Sequence, residues 1–312
     1  MTTALISHRD TVLHEISPGH PECPERIAAV SDRLMKEELF DFLRHHDAPL
    51  ATREQLMLAH PESYVELIHR KSPASGSVQL DPDTAMNAHS LGASLRAAGA
   101  GVLAVDEVLG GRARNAFCLT RPPGHHAERT RSMGFCFFGN IVVAARHAMR
   151  HHGLERVAIV DFDVHHGNGT EDLVDGDAGI LFCSSFQHPF YPGGYRPNVD
   201  GQRVNVPLPG GTGSAVFRAA IEEAWLPALE AFRPEMLFVS AGFDAHLEDP
   251  LASLALQDAD FAWITRKLVD VADRHADGRL VSMLEGGYAL GALGRSAAAH
   301  VRGLMGLETP SN

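Results

Sequence analysis

Short apolar runs rich in β-branched and aromatic residues punctuate the chain at Ala4–Ile6, Ala116–Leu119, Val157–Val160, Ile180–Cys183, Met236–Val239 and Leu280–Leu284. Longer stretches with helical spacing of apolar positions separate them, predicting helices over roughly residues 87–109, 139–152, 214–231, 258–275 and 292–305. Ser214 is placed to cap one of these helices, and Gly110–Gly111 and Gly153 to stop two others. Runs that are apolar at every position suit strands covered on both faces. Their alternation with helices predicts a parallel sheet between two helical layers. The expected fold class is α/β, a single three-layer α/β/α domain over residues 1–312 with a central, mainly parallel sheet and a short flexible tail at about 307–312. No internal repeat, low-complexity tract or linker interrupts it.

Polar residues with chemical potential follow four of the predicted strands. The run at 116–119 leads into Thr-Arg-Pro-Pro-Gly-His125-His126, and the run at 157–160 into Asp161-Phe-Asp163-Val-His165-His166-Gly-Asn168. The run at 236–239 leads to Ser-Ala-Gly-Phe-Asp244-Ala-His246, and that at 280–284 to Glu285-Gly-Gly-Tyr288. Open parallel sheets bind ligands beyond the carboxyl ends of their strands, so these side chains are expected at one edge.

Composition narrows the function classes. The chain carries 39 acidic against 27 basic residues, a formal net charge of −12, with no Lys/Arg-rich block. A sequence-independent grip on nucleic acid and a polybasic membrane patch are therefore not expected. The opening MTTALISHRD reads as neither a leader nor a membrane span. The four cysteines, Cys23, Cys118, Cys136 and Cys183, lack paired C-x-x-C spacing and fit buried thiols in a reduced, cytoplasmic protein. Nineteen histidines are the unusual feature, and they direct attention to metals and proton transfer.

Residues two apart on a strand share a face, so Asp161, Asp163 and His165 would point one way if the extended conformation persisted. Two Asp and one His, counting Asp244, make three metal ligands with a position open for water or substrate. That is the pattern of a catalytic zinc site, although a carboxylate–imidazole set also admits Fe(II) or Co(II). The plainer alternative, acids that cap helices or join a buried hydrogen-bond network, would suffice for Asp161 alone. His-His occurs at 45–46, 125–126, 151–152 and 165–166. The first and third pairs sit near predicted helix ends and read as surface, where histidine favours the helix dipole. The other two follow apolar strands and are functional candidates. Tyr288, after Gly286-Gly287, is positioned to donate to a developing oxyanion, although a lone Tyr after a strand more often serves packing.

Taken together, R-P-P-G-H-H-A, G-F-C-F-F-G-N, D-F-D-V-H-H-G-N-G-T, S-A-G-F-D-A-H and L-E-G-G-Y resemble the histone deacetylase / acetylpolyamine amidohydrolase superfamily. The likeness is to its bacterial, class II-like amidohydrolases and runs from G-H-P-E-C-P-E-R at residues 19–26 to Tyr288. It implies the arginase–deacetylase fold and one zinc ion per chain held by Asp163, His165 and Asp244. His126 would be the general base, His125 its electrostatic partner, with Asp161 orienting His125 and Asn168 orienting His126. Class I relatives carry Asp at that last place. Tyr288 would polarise the acyl carbonyl, and its retention implies a competent enzyme. Gly134, Phe135 and Tyr191 would line an acyl-lysine channel. A structural potassium ion would bind through Asp161, Asp163, His165, Ser184 and Ser185.

The implied reaction is hydrolysis of an acetyl or short acyl group from a lysine side chain of a protein or peptide, with an acetylated polyamine or other small amine as the alternative. Polyamine-selective relatives place a glutamate seven residues after the last ligand Asp, where this chain has Leu251. Asp81 resembles the rim aspartate that holds a peptide backbone, although Asp81-Pro-Asp-Thr is also a good turn and helix start. Glu248 and Asp249 could supply the missing charge for a polyamine. An arginase-like dimanganese site would need carboxylates where Gly167 and His246 stand. A reader of acyl-lysine that does not hydrolyse it would need no base or oxyanion donor. Homo-oligomerisation is left open.

Overall fold

The structure, a computed structural model, describes residues 2–307, so the tail expected at about 307–312 lies outside the described residues beyond Leu307. In chain order the strands are β1 (Thr3–Ser7), β2 (Arg44–Asp47), β3 (Ser77–Asp81), β4 (Thr84–Asn87), β5 (Asn115–Cys118), β6 (Val157–Asp161), β7 (Ile180–Gln187), β8 (Arg203–Leu208), β9 (Met236–Ala241) and β10 (Leu280–Leu284). The helices are α1 (Glu25–Lys36), α2 (Arg53–Leu56), α3 (Glu62–Lys71), α4 (Ser90–Leu109), α5 (Asn140–His152), α6 (Asn168–Val174), α7 (Ser214–Phe232), α8 (Asp258–His275) and α9 (Leu290–Leu304).

Eight strands form one sheet in the order β2-β1-β5-β10-β9-β6-β7-β8, and every pairing in it is parallel. Strand periodicity sends alternate residues to opposite faces, and here both sets are apolar. Leu5, Phe117, Val160, Leu181 and Val239 meet α1, α7, α8 and α9 on one face. Ile6, Cys118, Ile159, Phe182 and Phe238 meet the helices α2 to α6 on the other. The four strands whose ends carry the motifs, β5, β10, β9 and β6, are consecutive neighbours at the centre of the sheet. Their carboxyl ends therefore open onto one shared floor.

The central strands match the apolar runs; the edges were not foreseen. β2 reads Arg-His-His-Asp and β8 contains Pro207, both compatible with an edge where one side of the ladder needs no partner. His45 and His46 consequently lie on this edge strand rather than at a helix end, His45 exposed and His46 half-buried 3.6 Å from Glu107. His151 and His152 do close α5, as expected. Asp81-Pro-Asp-Thr is the turn of the β3–β4 hairpin and starts no helix, so the helix predicted from 87 begins at Ser90. Ser214 is the first residue of α7 rather than its cap, and its hydroxyl donates to Asp260 Oδ2 at 2.6 Å. The cysteines are free, with Cys118, Cys136 and Cys183 buried. Among the described residues no helix is long and apolar enough to cross a membrane.

Candidate active site

Extended backbone does not carry past Asp161, where β6 ends. The following residues are instead gathered by carboxylates that accept main-chain N–H groups two residues on, the local bonding to which Asp is prone. Asp161 Oδ1 accepts from the Asp163 N–H at 3.1 Å, and Asp163 Oδ1 from the His165 N–H at 2.9 Å. The outcome is the predicted trio. Ligand atoms of Asp163, His165 and Asp244 lie within 4.8 Å of one another. His165 Nδ1 stands 3.1 Å from Asp163 Oδ1 and 3.2 Å from Asp244 Oδ2.

The donor set fits a divalent cation. Asp163 and Asp244 are buried, yet Asp244 Oδ2 has no hydrogen-bond partner. Burial, and then the charge of Asp163, push the Asp244 carboxyl up to about 7. Burial would lower the His165 imidazole, but the hydrogen bond to Asp163 and the charge of both carboxylates lift it to about 10. Two buried acids facing one ring are a concentration of negative charge that a metal neutralises. Glycines make the approach close: a Cβ on Gly242 would fall 2.0 Å from Asp163 Oδ2, and one on Gly286 would fall 2.1 Å from Asp244 Oδ2.

The tandem histidines lie against this trio and differ in their partners. His125 Nδ1 is 2.9 Å from Asp161 Oδ2, while His126 Nδ1 is 2.7 Å from Asn168 Oδ1. The Asn168 amide donates to Glu128 Oε1 at 2.8 Å, which fixes its oxygen toward His126. His126 therefore donates from Nδ1 and presents a bare Nε2, as a general base must. Burial disfavours a charged ring at both positions. Asp163 and Asp161 overcome that for His125 and hold it well above its ordinary pKa. Burial, His125 and His165 push His126 well below. A cation at the trio would repel charge on both rings, leaving the Asp161 contact as what distinguishes His125.

A cleft of about 210 Å³ opens over these groups. His126, His165 and Tyr288 reach its lining, with Gly134, Phe135, Phe190, Tyr191 and Leu251 as walls. Phe135 meets Tyr288 edge-on at 6.1 Å and Phe190 stacks on His165 at 5.5 Å. Phe190, next to Tyr191, is a wall that the sequence does not single out. Asp83 lines the cleft where Asp81 does not; Asp81 pairs instead with Arg131 at 2.7 Å. Ser184 is fully buried beside Asp161 in the β6–β7 register, with Ser185 next along the strand.

His165 and His166 part company: His166 Nδ1 bonds Ser184 Oγ at 3.1 Å and its ring packs on Phe186, away from the trio. His246 likewise faces Asp258 at 3.4 Å, and neither it nor Gly167 offers a carboxylate for a second metal.

Supporting residues sit just behind, and of these only Asp249 has an expected role from the sequence. Glu285 Oε2 accepts the Gly124 N–H at 2.7 Å and the His125 N–H at 3.2 Å, while Oε1 accepts from Ser240 at 3.0 Å. Arg26 donates to the carbonyls of Gly287 and Glu285 and lies 5.0 Å over the Tyr288 ring. Glu22 binds Arg26 at 3.1 Å and Arg121 at 2.6 Å, all three fully buried. Asp249 Oδ2 accepts the Tyr288 N–H at 2.7 Å and the Ala289 N–H at 3.2 Å. The signal for Glu22 and Arg26 is their place in G-H-P-E-C-P-E-R; beyond their mutual i,i+4 pair, their partners Arg121, Gly287 and Glu285 are distant in sequence.

Gly134 has φ +56°, and a Cβ there would meet His126 Cδ2 at 2.3 Å. Gly134→Ala should therefore displace the His126 ring and lower kcat by about 10²-fold, the scale for an ångström-sized misplacement, and the strained φ should lower the melting temperature as well. Unaltered kcat would show that the ring position is not critical.

The histone deacetylase domain family matches residues 20–304. A probable deacetylase of Archaeoglobus fulgidus is 37% identical, aligned over 99% of this chain and 88% of its own length. A histone deacetylase-like amidohydrolase of Pseudomonas aeruginosa is 41% identical over 86% of this chain and 73% of that protein. The human polyamine deacetylase HDAC10 is 36% identical over 99% of this chain, which spans 49% of that longer protein. A crystal structure of the HDA15 HD domain superposes with a TM-score of 0.92 at 34% identity, covering 99% of this chain and 90% of that one. The expected arginase–deacetylase architecture is thus the one observed, and the chain belongs to the histone deacetylase family of hydrolases.

Proposed function

We propose that this protein removes acetyl or other short acyl groups from acyl-lysine side chains, with one zinc ion held by Asp163, His165 and Asp244. The observation that carries the reading is the trio of ligand atoms within 4.8 Å at the foot of an aromatic-walled cleft, with the bare His126 Nε2 beside it. A divalent metal held there supplies Lewis acidity toward water and the amide carbonyl. His126 takes a proton from water at Nε2 and returns it to the departing amine. His125, tied to Asp161, stabilises charge without moving the proton. The Tyr288 hydroxyl, kept protonated by burial against the opposing pull of Arg26, donates to the carbonyl oxygen as negative charge develops. Phe135 and Phe190 sheath the lysine stem and exclude water. A potassium ion beside Asp161, Asp163, His165, Ser184 and Ser185 would rigidify the floor, a reading supported by the burial of both serines against β6.

The two acids nearest in sequence for serving a polyamine, Glu248 and Asp249, are already engaged. Asp249 is spent on the N–H groups of Tyr288, Ala289 and Leu251, and Glu248 pairs with Arg295 at 2.6 Å. Leu251 lines the cleft as an apolar residue. One observation favours the second reading, an acetylated polyamine: the Asp83 carboxylate lines the same cleft, accepting the Gly134 N–H at 2.9 Å through Oδ1. The deciding comparison is kcat/KM for an acetyl-lysine peptide and for N8-acetylspermidine, in wild type and Leu251→Glu. Wild type should prefer the peptide, and Leu251→Glu should move preference toward the polyamine. A wild-type preference for the polyamine that Leu251→Glu leaves unchanged or weakens would overturn the assignment.

A further inference from the structure

Among the described residues one other group has the composition and spacing of metal ligands: Asp106, His147 and His152, whose ligand atoms lie within 4.8 Å of one another. Asp106 stands in the last turn of α4, and both histidines are on the C-terminal half of α5. Because α4 feeds β5 and α5 feeds β6, these helix ends lie at the amino edge of the sheet, opposite the cleft.

The arrangement converges on a single atom. Asp106 Oδ1 is 2.9 Å from His147 Nε2 and 2.8 Å from His152 Nε2. A third ring, His151, lies 4.7 Å from that of His147. Arg112 takes the main-chain oxygen of Asp106 at 2.9 Å and pairs its Nε with Glu107, leaving the Asp106 carboxylate to the histidines. His147 is buried, its Nδ1 without a hydrogen-bond partner, while the Asp106 side chain is 39% exposed and so reachable from solvent.

We propose that Asp106, His147 and His152 form a second site for a borderline divalent transition ion of the zinc, nickel or copper kind, bridging α4 and α5. Two imidazoles and a carboxylate are a donor set these ions accept. Tetrahedral bonds of zinc length separate their donor atoms by about 3.3 Å, so the observed carboxylate–imidazole distances need to open by only a few tenths of an ångström. Remaining positions are open to water or to His151. Because His147 Nδ1 lacks the acceptor that usually orients a ligating ring, the affinity should be about 10–100-fold below that of a fully supported site. Bound metal would tie the ends of two helices that cover the same face of the sheet. A count of two metals per chain would then not imply a dinuclear active centre.

The test is equilibrium dialysis of untagged protein against buffered zinc, with bound metal counted by mass spectrometry in four proteins. These are wild type, His152→Ala, Asp244→Ala and the double variant. His152→Ala should bind one ion fewer than its parent in both backgrounds, keep wild-type kcat/KM, and lose any rise in melting temperature that excess zinc gives its parent. Equal metal counts with and without His152 in both backgrounds would overturn the proposal. Because the His152 difference is read within each background, failure of the catalytic zinc assignment leaves it interpretable.

Discussion

Asp244→Ala should reduce bound metal at the active site to near zero and abolish deacetylation while the fold persists. The side chain contributes an oxygen to the trio and accepts one main-chain hydrogen bond, from the Val164 N–H to its Oδ1 at 2.9 Å. Leaving that N–H unpaired costs about 1–3 kcal/mol. Against this, the substitution removes one of two buried carboxylates that repel each other, a repulsion visible in the Asp244 carboxyl being raised to about 7 by burial and Asp163. Asp244→Asn keeps an oxygen for Val164 and serves as the control for folding. Both variants should retain native circular dichroism. Stoichiometric zinc in Asp244→Ala, measured with His152 also replaced so that no second site contributes, would refute the ligand assignment.

The second large effect divides labour between two residues that line the cleft. His126→Ala should keep its metal but lose about 10²–10⁴ in kcat, the span for a general base. Tyr288→Phe should lose about 10²–10³, the span for one oxyanion donor. His125→Ala should also be impaired, through lost charge, because its Nδ1 is committed to Asp161 at 2.9 Å. The distinguishing measurement is the pH profile of kcat/KM. The acid limb that reports protonation of His126 should vanish in His126→Ala and survive in His125→Ala. Near wild-type turnover by Tyr288→Phe would remove the phenol from the mechanism.

What could be read in the sequence tracks how local the determining physics is. The central strands were legible because residues such as Val157–Val160 are apolar on both faces, and the ligand positions because each follows such a strand within a few residues. The edge strands were not: Arg44–Asp47 carries no apolar signature, and its place depends on β1 offering an open side. The strand spacing that would point Asp161, Asp163 and His165 one way does not persist, because extension stops at Asp161. Side-chain to main-chain bonds, rather than continued extension, gather them. Glu285 and Arg121 acquire their roles through partners far away in sequence, as in Arg121 to Glu22 and Glu285 to Gly124. Pattern along a chain has no access to such pairings. The two His-His pairs near strand ends look alike in sequence, yet only the fold shows that His166 turns away while His165 joins Asp163 and Asp244.

The Asp249 bonds carry a consequence for how selectivity in this cleft can change. Asp249 grips the loop bearing Tyr288 and the segment bearing Leu251 entirely through main-chain N–H groups, at 2.7 Å to Tyr288 and 3.0 Å to Leu251. The Leu251 side chain takes no part in that grip. Position 251 is thus a replaceable tile on a fixed frame: its chemistry can be swapped while the phenol beside it stays where the reaction requires. On the proposed function, natural drift or directed mutagenesis can explore new amines there while the frame around Tyr288 stays in place.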